Sequence, residues 1–82
     1  MLNLERAAMR GRLAEARERE SRLTLRIEGQ AVALRTGLNT ALTKIVDLEV
    51  PLLAEQMDQL VSAWGELQAC RLEIGRLERE LA

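Results

Sequence analysis

Apolar residues recur along the first part of the chain at alternating steps of four and three. Counted from Leu2, the positions are Arg6, Met9, Leu13, Ala16, Glu20, Leu23, Ile27, Gln30 and Leu34, and seven of these ten are apolar. That is the seam of a helix packed on another helix, because two turns of α-helix take close to seven residues. A second register runs Val46, Val50, Leu53, Met57, Leu60, Trp64, Leu67, Arg71, Ile74, Glu78 and Leu81, with nine of eleven positions apolar. The pattern predicts two long helices.

Between the registers lies Arg35-Thr36-Gly37-Leu38-Asn39-Thr40. Glycine at a helix C′ position tolerates the left-handed conformation, and an apolar residue after it can close the cap. Asn39 or Thr40 can start the next helix by accepting a hydrogen bond from a free backbone amide. Stop and start signals this close together predict an all-α, antiparallel two-helix coiled-coil hairpin forming one domain over residues 1–82. Helix one is expected over about 3–36, the turn over 37–39 and helix two over about 40–81. At about 1.5 Å per residue each arm spans roughly 50–60 Å.

In such a hairpin, residues whose numbers sum to about 76 or 77 lie opposite one another. The rule brings Arg10 to Glu66, Arg17 to Asp58 and Arg22 to Glu55, and it sets Arg6 unfavourably near Arg71. Gly11 and Gly65 also face each other beside Trp64, either to make room for the indole or as tolerated glycines. Pro51 removes a backbone hydrogen bond and biases Val50 away from helical angles, so a kink is expected there within helix two. The rival reading puts the bend itself at 47–51.

Helix two carries a further apolar row, Leu38, Leu42, Ile45, Leu48 and Leu52. A two-helix hairpin has one seam and cannot cover so wide a face. A second copy can, so a homodimeric four-helix bundle is expected, packed most firmly at the turn end.

Composition sharpens this. Phe and Tyr are absent, Trp64 is the single aromatic, and Leu, Ala, Glu and Arg dominate, as in long helices. Eighty-two residues form a small core, which usually needs a disulfide, a metal or a partner. One cysteine and no histidine exclude an internal disulfide and remove the commonest metal ligands, leaving a partner as the remedy. Residues 1–36 carry eight Arg against five Glu, and residues 37–82 four basic against eight acidic side chains, so charges of +3 and −4 give the net −1. No stretch is apolar enough for a membrane span, and no membrane partner is expected. The first fifteen residues, with Glu5, Arg6, Arg10 and Arg12, lack the apolar run of an export signal. With the lone thiol, this makes a cytoplasmic location the expectation.

Catalytic raw material is scarce. Without His or Tyr, a nucleophile or base would have to come from Cys70, Ser21, Ser62, Lys44 or a carboxylate, and none stands in a recognisable constellation. No enzyme activity and no cofactor are expected. Cys70, next to Arg71, reads either as an activated thiol or, by preference, as a small apolar residue flanking the seam. Arg12, Arg19, Arg22 and Arg26 share one stripe of helix one, which could bind phosphate backbones, yet Glu15 and Glu18 sit four residues before Arg19 and Arg22 and favour a salt-laced solvent face. Trp64 is expected in the hairpin or bundle core, or, if exposed, as an interface anchor. The polar seam residues Glu20, Gln30, Arg71 and Glu78 can fix register and partner number.

The function expected is a non-enzymatic protein–protein interaction module: an adaptor, chaperone-like binder or assembly subunit. It would act through Leu38, Leu42, Ile45, Leu48, Leu52 and Trp64. The alternative is a small dimeric nucleic-acid-binding regulator using Arg12, Arg19, Arg22 and Arg26.

Overall fold

Thirty-six residues without proline, rich in Ala, Leu, Glu and Arg, form one continuous helix, α1, Leu2–Gly37. A second helix, α2, Val50–Leu81, returns antiparallel along it, and a single 3₁₀ turn, Ile45–Asp47, lies between them. The computed structural model describes residues 2–82, an all-α hairpin of 65 × 16 × 14 Å with no strand among the described residues.

The chain reverses through residues 38–49, a connector longer than the tight turn expected from the sequence. Asn39 does start a helical turn: its Oδ1 accepts the Ala41 N–H at 2.9 Å, and its carbonyl accepts the amides of Leu42 and Thr43. That turn stops at Lys44, which is extended with φ −63° and ψ 146°. Leu48 is extended again after the 3₁₀ turn, and Glu49 holds φ −87° and ψ 67°. Helix two therefore begins at Val50 rather than near residue 40. Pro51 produces no kink, because it sits in the first turn of α2, where its missing N–H would have had no partner in any case. The apolar row Leu38, Leu42, Ile45, Leu48 and Leu52 is consequently not a helix face. Its first four members belong to the connector.

Gly37 ends α1 by a different device from the one expected. Its φ is not positive. What it supplies is space, since a Cβ there would lie 2.5 Å from Leu53 Cδ2. The bare glycine lets the start of α2 close onto the end of α1.

The longer connector also changes which residues face each other. Arg71 pairs with Glu20 at 3.7 Å, Arg26 with Glu66 at 3.6 Å and Arg17 with Glu78 at 2.8 Å, number sums of 91, 92 and 95 in place of 76 or 77. The expected pairs of Arg10 with Glu66, Arg17 with Asp58 and Arg22 with Glu55 are absent. Arg6 escapes Arg71 altogether and donates to the Leu81 carbonyl at 2.9 Å, satisfying one of the free acceptors at the end of α2. Gly11 and Gly65 have nothing within 4 Å of an added Cβ, so they make no room for Trp64.

On α1 the seam is the expected one from Met9 onward: Ala16, Leu23 and Leu34 are buried, and Met9, Leu13, Glu20, Ile27 and Gln30 are half-buried. Arg6 is exposed, and Leu2 lies outside the residues whose side chains are described. On α2 only alternate positions agree. Leu53, Leu60, Leu67, Ile74 and Leu81 do face α1, but between them come Gln56, Ala63, Cys70 and Leu77, each one residue before the expected Met57, Trp64, Arg71 and Glu78. Packing selects the small Ala16, Ala63 and Cys70 for the interior, where they let the helices approach closely, and Ala16, Leu23, Cys70 and Ile74 form its central cluster.

Candidate interaction surface

One residue along a helix is about 100° around it. The one-residue difference therefore turns Met57, Trp64, Arg71 and Glu78, spaced by seven, onto a single flank of the hairpin. The polar members are resolved there: Arg71 reaches Glu20 and Glu78 reaches Arg17 at the exposed rim, each pair contributing about 0–1 kcal/mol. The apolar members face water. Trp64 is 56% exposed, so the hairpin core does not hold it, and Val50, Met57 and Val61 are exposed on the same flank.

The connector extends this surface around the turn. Leu38, Leu42 and Ile45 are exposed, as is Val46 at 88%. Leu48 is half-buried and Leu52 remains exposed. Leu48 and Leu52 line an open depression of about 500 Å³ with Ala33, Gly37 and Leu53, edged by Asp47 and Glu49. The structure thus keeps Leu38, Leu42, Ile45, Leu48 and Leu52 at the turn end, through a folded connector instead of a helix row, whereas Trp64 lies near the middle of α2. The sequence reading left out Val61, although its place three residues before Trp64 and four after Met57 marks it as their neighbour.

On the α1 side of the same flank Ala14, Ser21, Thr24 and Ala31, all exposed and none bulky, are interspersed with Arg10, Arg17, Glu28 and Arg35. The Arg17–Glu78 bridge fixes them to the side that carries Met57 and Trp64. Thr24 Oγ1 donates to the Glu20 carbonyl at 2.8 Å, so an apolar group laid over it would strand no donor.

The opposite flank is polar. Arg12, Arg19 and Arg22 line a shallow depression of about 430 Å³ with Glu15, Glu18 and Glu73. Arg22 is bridged to Glu18 at 3.0 Å, and Arg26 to Glu66 on α2. Acidic side chains are interleaved with the stripe and offset its charge, which weakens it as a phosphate-binding track.

Cys70 is buried, and its thiol donates to the Ala16 carbonyl at 3.1 Å. Alkylation of Cys70 is expected to proceed only through opening of the hairpin, far more slowly than in the urea-unfolded chain, and a thiol reacting at the unfolded rate would mean that the helices do not pack as described. Gln30 keeps its seam place with Oε1 buried and unpartnered. No group of His, Cys, Asp and Glu among the described residues could hold a metal ion, and no helix among them is long and apolar enough to cross a membrane. Comparison with protein families, with curated proteins and with solved structures finds no match for this chain.

Proposed function

We propose that the protein is a non-enzymatic interaction module that self-associates as a homodimer, completing a four-helix bundle through the apolar turn end and the α2 flank. One observation carries the reading: Trp64, Met57, Val61 and Val50 of α2 lie exposed, and so do Leu38, Leu42, Ile45 and Val46 of the connector that leads into it. Large apolar side chains gathered on the surface of a monomer mark a place where something docks. The free, buried thiol of Cys70 suits a cytoplasmic setting. The polar flank stays in water, where its mixed charge keeps the assembly soluble.

Trp64 makes the proposal directly measurable, because the chain has no other aromatic residue and the emission reports on this position alone. Raising the concentration in sedimentation equilibrium is expected to drive the mass toward that of two chains while the tryptophan emission shifts to the blue. Trp64→Ala is expected to weaken the dimer by about 2 kcal/mol or more, as removal of an aromatic anchor does. A mass fixed at one chain into the high micromolar range, with red, unshifted emission, would refute it.

A further inference from the structure

We infer that the groove between α1 and α2 on the Leu52 side takes a cationic amphipathic helix of a partner protein. Its apolar anchors would sit in the depression beside the connector, and its Lys or Arg side chains against Asp47, Glu49 and Glu55. This goes beyond the self-association proposed above and uses the other flank. Leu52 is two residues, about 200° around α2, from Val50, which with Met57 and Trp64 marks the opposite side.

The placing of the ion pairs names the charge of the occupant. From residue 45 to residue 70 the sequence holds five acidic residues and no basic one. Of those five only Glu66 is paired, with Arg26, and every ion pair among the described residues lies at that bridge or beyond it, away from the turn. Asp47, Glu49, Glu55 and Asp58 are exposed and unpaired. Glu49 precedes α2 at its N-cap but makes no side-chain cap bond, so its carboxylate is uncommitted. Asp47 and Glu49 line the depression, no Lys or Arg does, and Glu55 stands beside it, three residues on from Leu52. Arg35, the cation of α1 nearest the turn, belongs to the Trp64 side. Carboxylates around an apolar floor repel phosphate, nucleic acid and anionic lipid. They attract an ammonium or guanidinium group, whose aliphatic stem can lie along leucine.

Shape names the rest. The depression of about 500 Å³ takes its apolar floor from Ala33, Leu48, Leu52 and Leu53. A second, of about 250 Å³, lies farther along the hairpin, lined by Gln30, Gln59, Ser62 and Ala63 and edged by Arg26 and Glu66. Leu52, Gln59 and Glu66 recur every seven residues, so the two depressions share one flank of α2. From Glu49 to Glu66 this track is about 25 Å long at about 1.5 Å per residue, the length of a helix of four to five turns. Gln56, Gln59 and Ser62 make no side-chain hydrogen bond among the described residues and are free to bond along it. A helix laid in such a groove is held through apolar side chains at i, i+3 or i+4 and i+7. A second copy docked by its turn end would instead set the same carboxylates against these.

The probe is a fluorescein-labelled, amidated peptide of about eighteen Leu, Ala and Lys residues, with leucines at that spacing and lysines beside them. A control peptide carries Glu for every Lys. Fluorescence anisotropy at low salt is expected to give the lysine peptide a micromolar Kd and the glutamate peptide one at least about tenfold weaker. Asp47→Asn with Glu49→Gln is expected to weaken the lysine peptide about tenfold, and Leu52→Ala about fivefold. Glu28→Gln with Asp58→Asn makes the same change in net charge away from the groove and is expected to alter binding less than about twofold. Trp64 emission is expected to stay unchanged as peptide is added at fixed protein concentration. Two peptides bound alike, equal weakening by the two double variants, or a Trp64 blue shift on binding each overturns this site. Sedimentation of the same chain keeps the two readings apart. A dimer that does not bind the lysine peptide overturns this inference alone, while a monomer that binds it as described overturns self-association and leaves the groove standing.

Discussion

Leu77→Ala is expected to lower the stability of the hairpin by about 2–5 kcal/mol, the cost of emptying a leucine-sized site in a packed interior. Leu77 has 0% exposure, the lowest among the described residues, although it lies only four residues from the end of α2. At about 4–8 °C per kcal/mol for a domain of this size, the melting temperature falls by roughly 10–40 °C. Two neighbours provide the contrast. Leu72 is 76% exposed, and its alanine variant is expected to stay within about 0.5 kcal/mol of the parent. Glu78→Ala removes only a rim ion pair, worth about 0–1 kcal/mol. Urea unfolding at one fixed protein concentration checks all three, since association adds to apparent stability by an amount that rises with the logarithm of concentration. Equal losses in the Leu77 and Glu78 variants would mean that α2 turns its other face to α1.

That contrast also locates what the sequence made legible. The α1 seam from Met9 to Leu34 could be read directly, because its heptad is carried by large apolar residues with no competing row beside it. On α2 two registers share Leu53, Leu60, Leu67 and Ile74 and differ by one residue in between. Apolar bulk favoured Met57 and Trp64, whereas packing rewards close approach and therefore took Ala63 and Cys70. The telling sign was polar: the Trp64 register puts Arg71 and Glu78 in the core, while its rival holds Cys70 and Leu77 there. The connector was obscured because Leu38, Leu42, Ile45, Leu48 and Leu52 keep helical spacing through a stretch that is not one helix. Pro51 was the available correction, since proline is better tolerated in a first turn than in a helix interior. Leu38, Leu42, Ile45 and Leu52 are exposed at the turn end all the same, because their apolarity and nearness to the turn do not depend on a continuous helix.

Replacing Gly11, Gly29 and Gly65 together with alanine is expected to raise stability by about 1.5–3 kcal/mol, since each glycine inside a helix costs about 0.5–1 kcal/mol in backbone entropy. All three lie within the helices, and an added Cβ meets nothing within 4 Å at any of them, so the gain carries no packing penalty. Sites this far apart along the helices contribute nearly additively. Gly37→Ala belongs to a different class, because its Cβ would come within 2.5 Å of Leu53 Cδ2 and must push that buried methyl group aside. It is expected to show none of the gain. Thermal unfolding of the triple variant, followed by circular dichroism beside Gly37→Ala, separates the two cases. Sedimentation of the triple variant then adds information on assembly: a stabilised hairpin that dimerises as before places the three glycines on solvent faces, while a stabilised hairpin that no longer dimerises would show that a helix of the second copy rests against one of them.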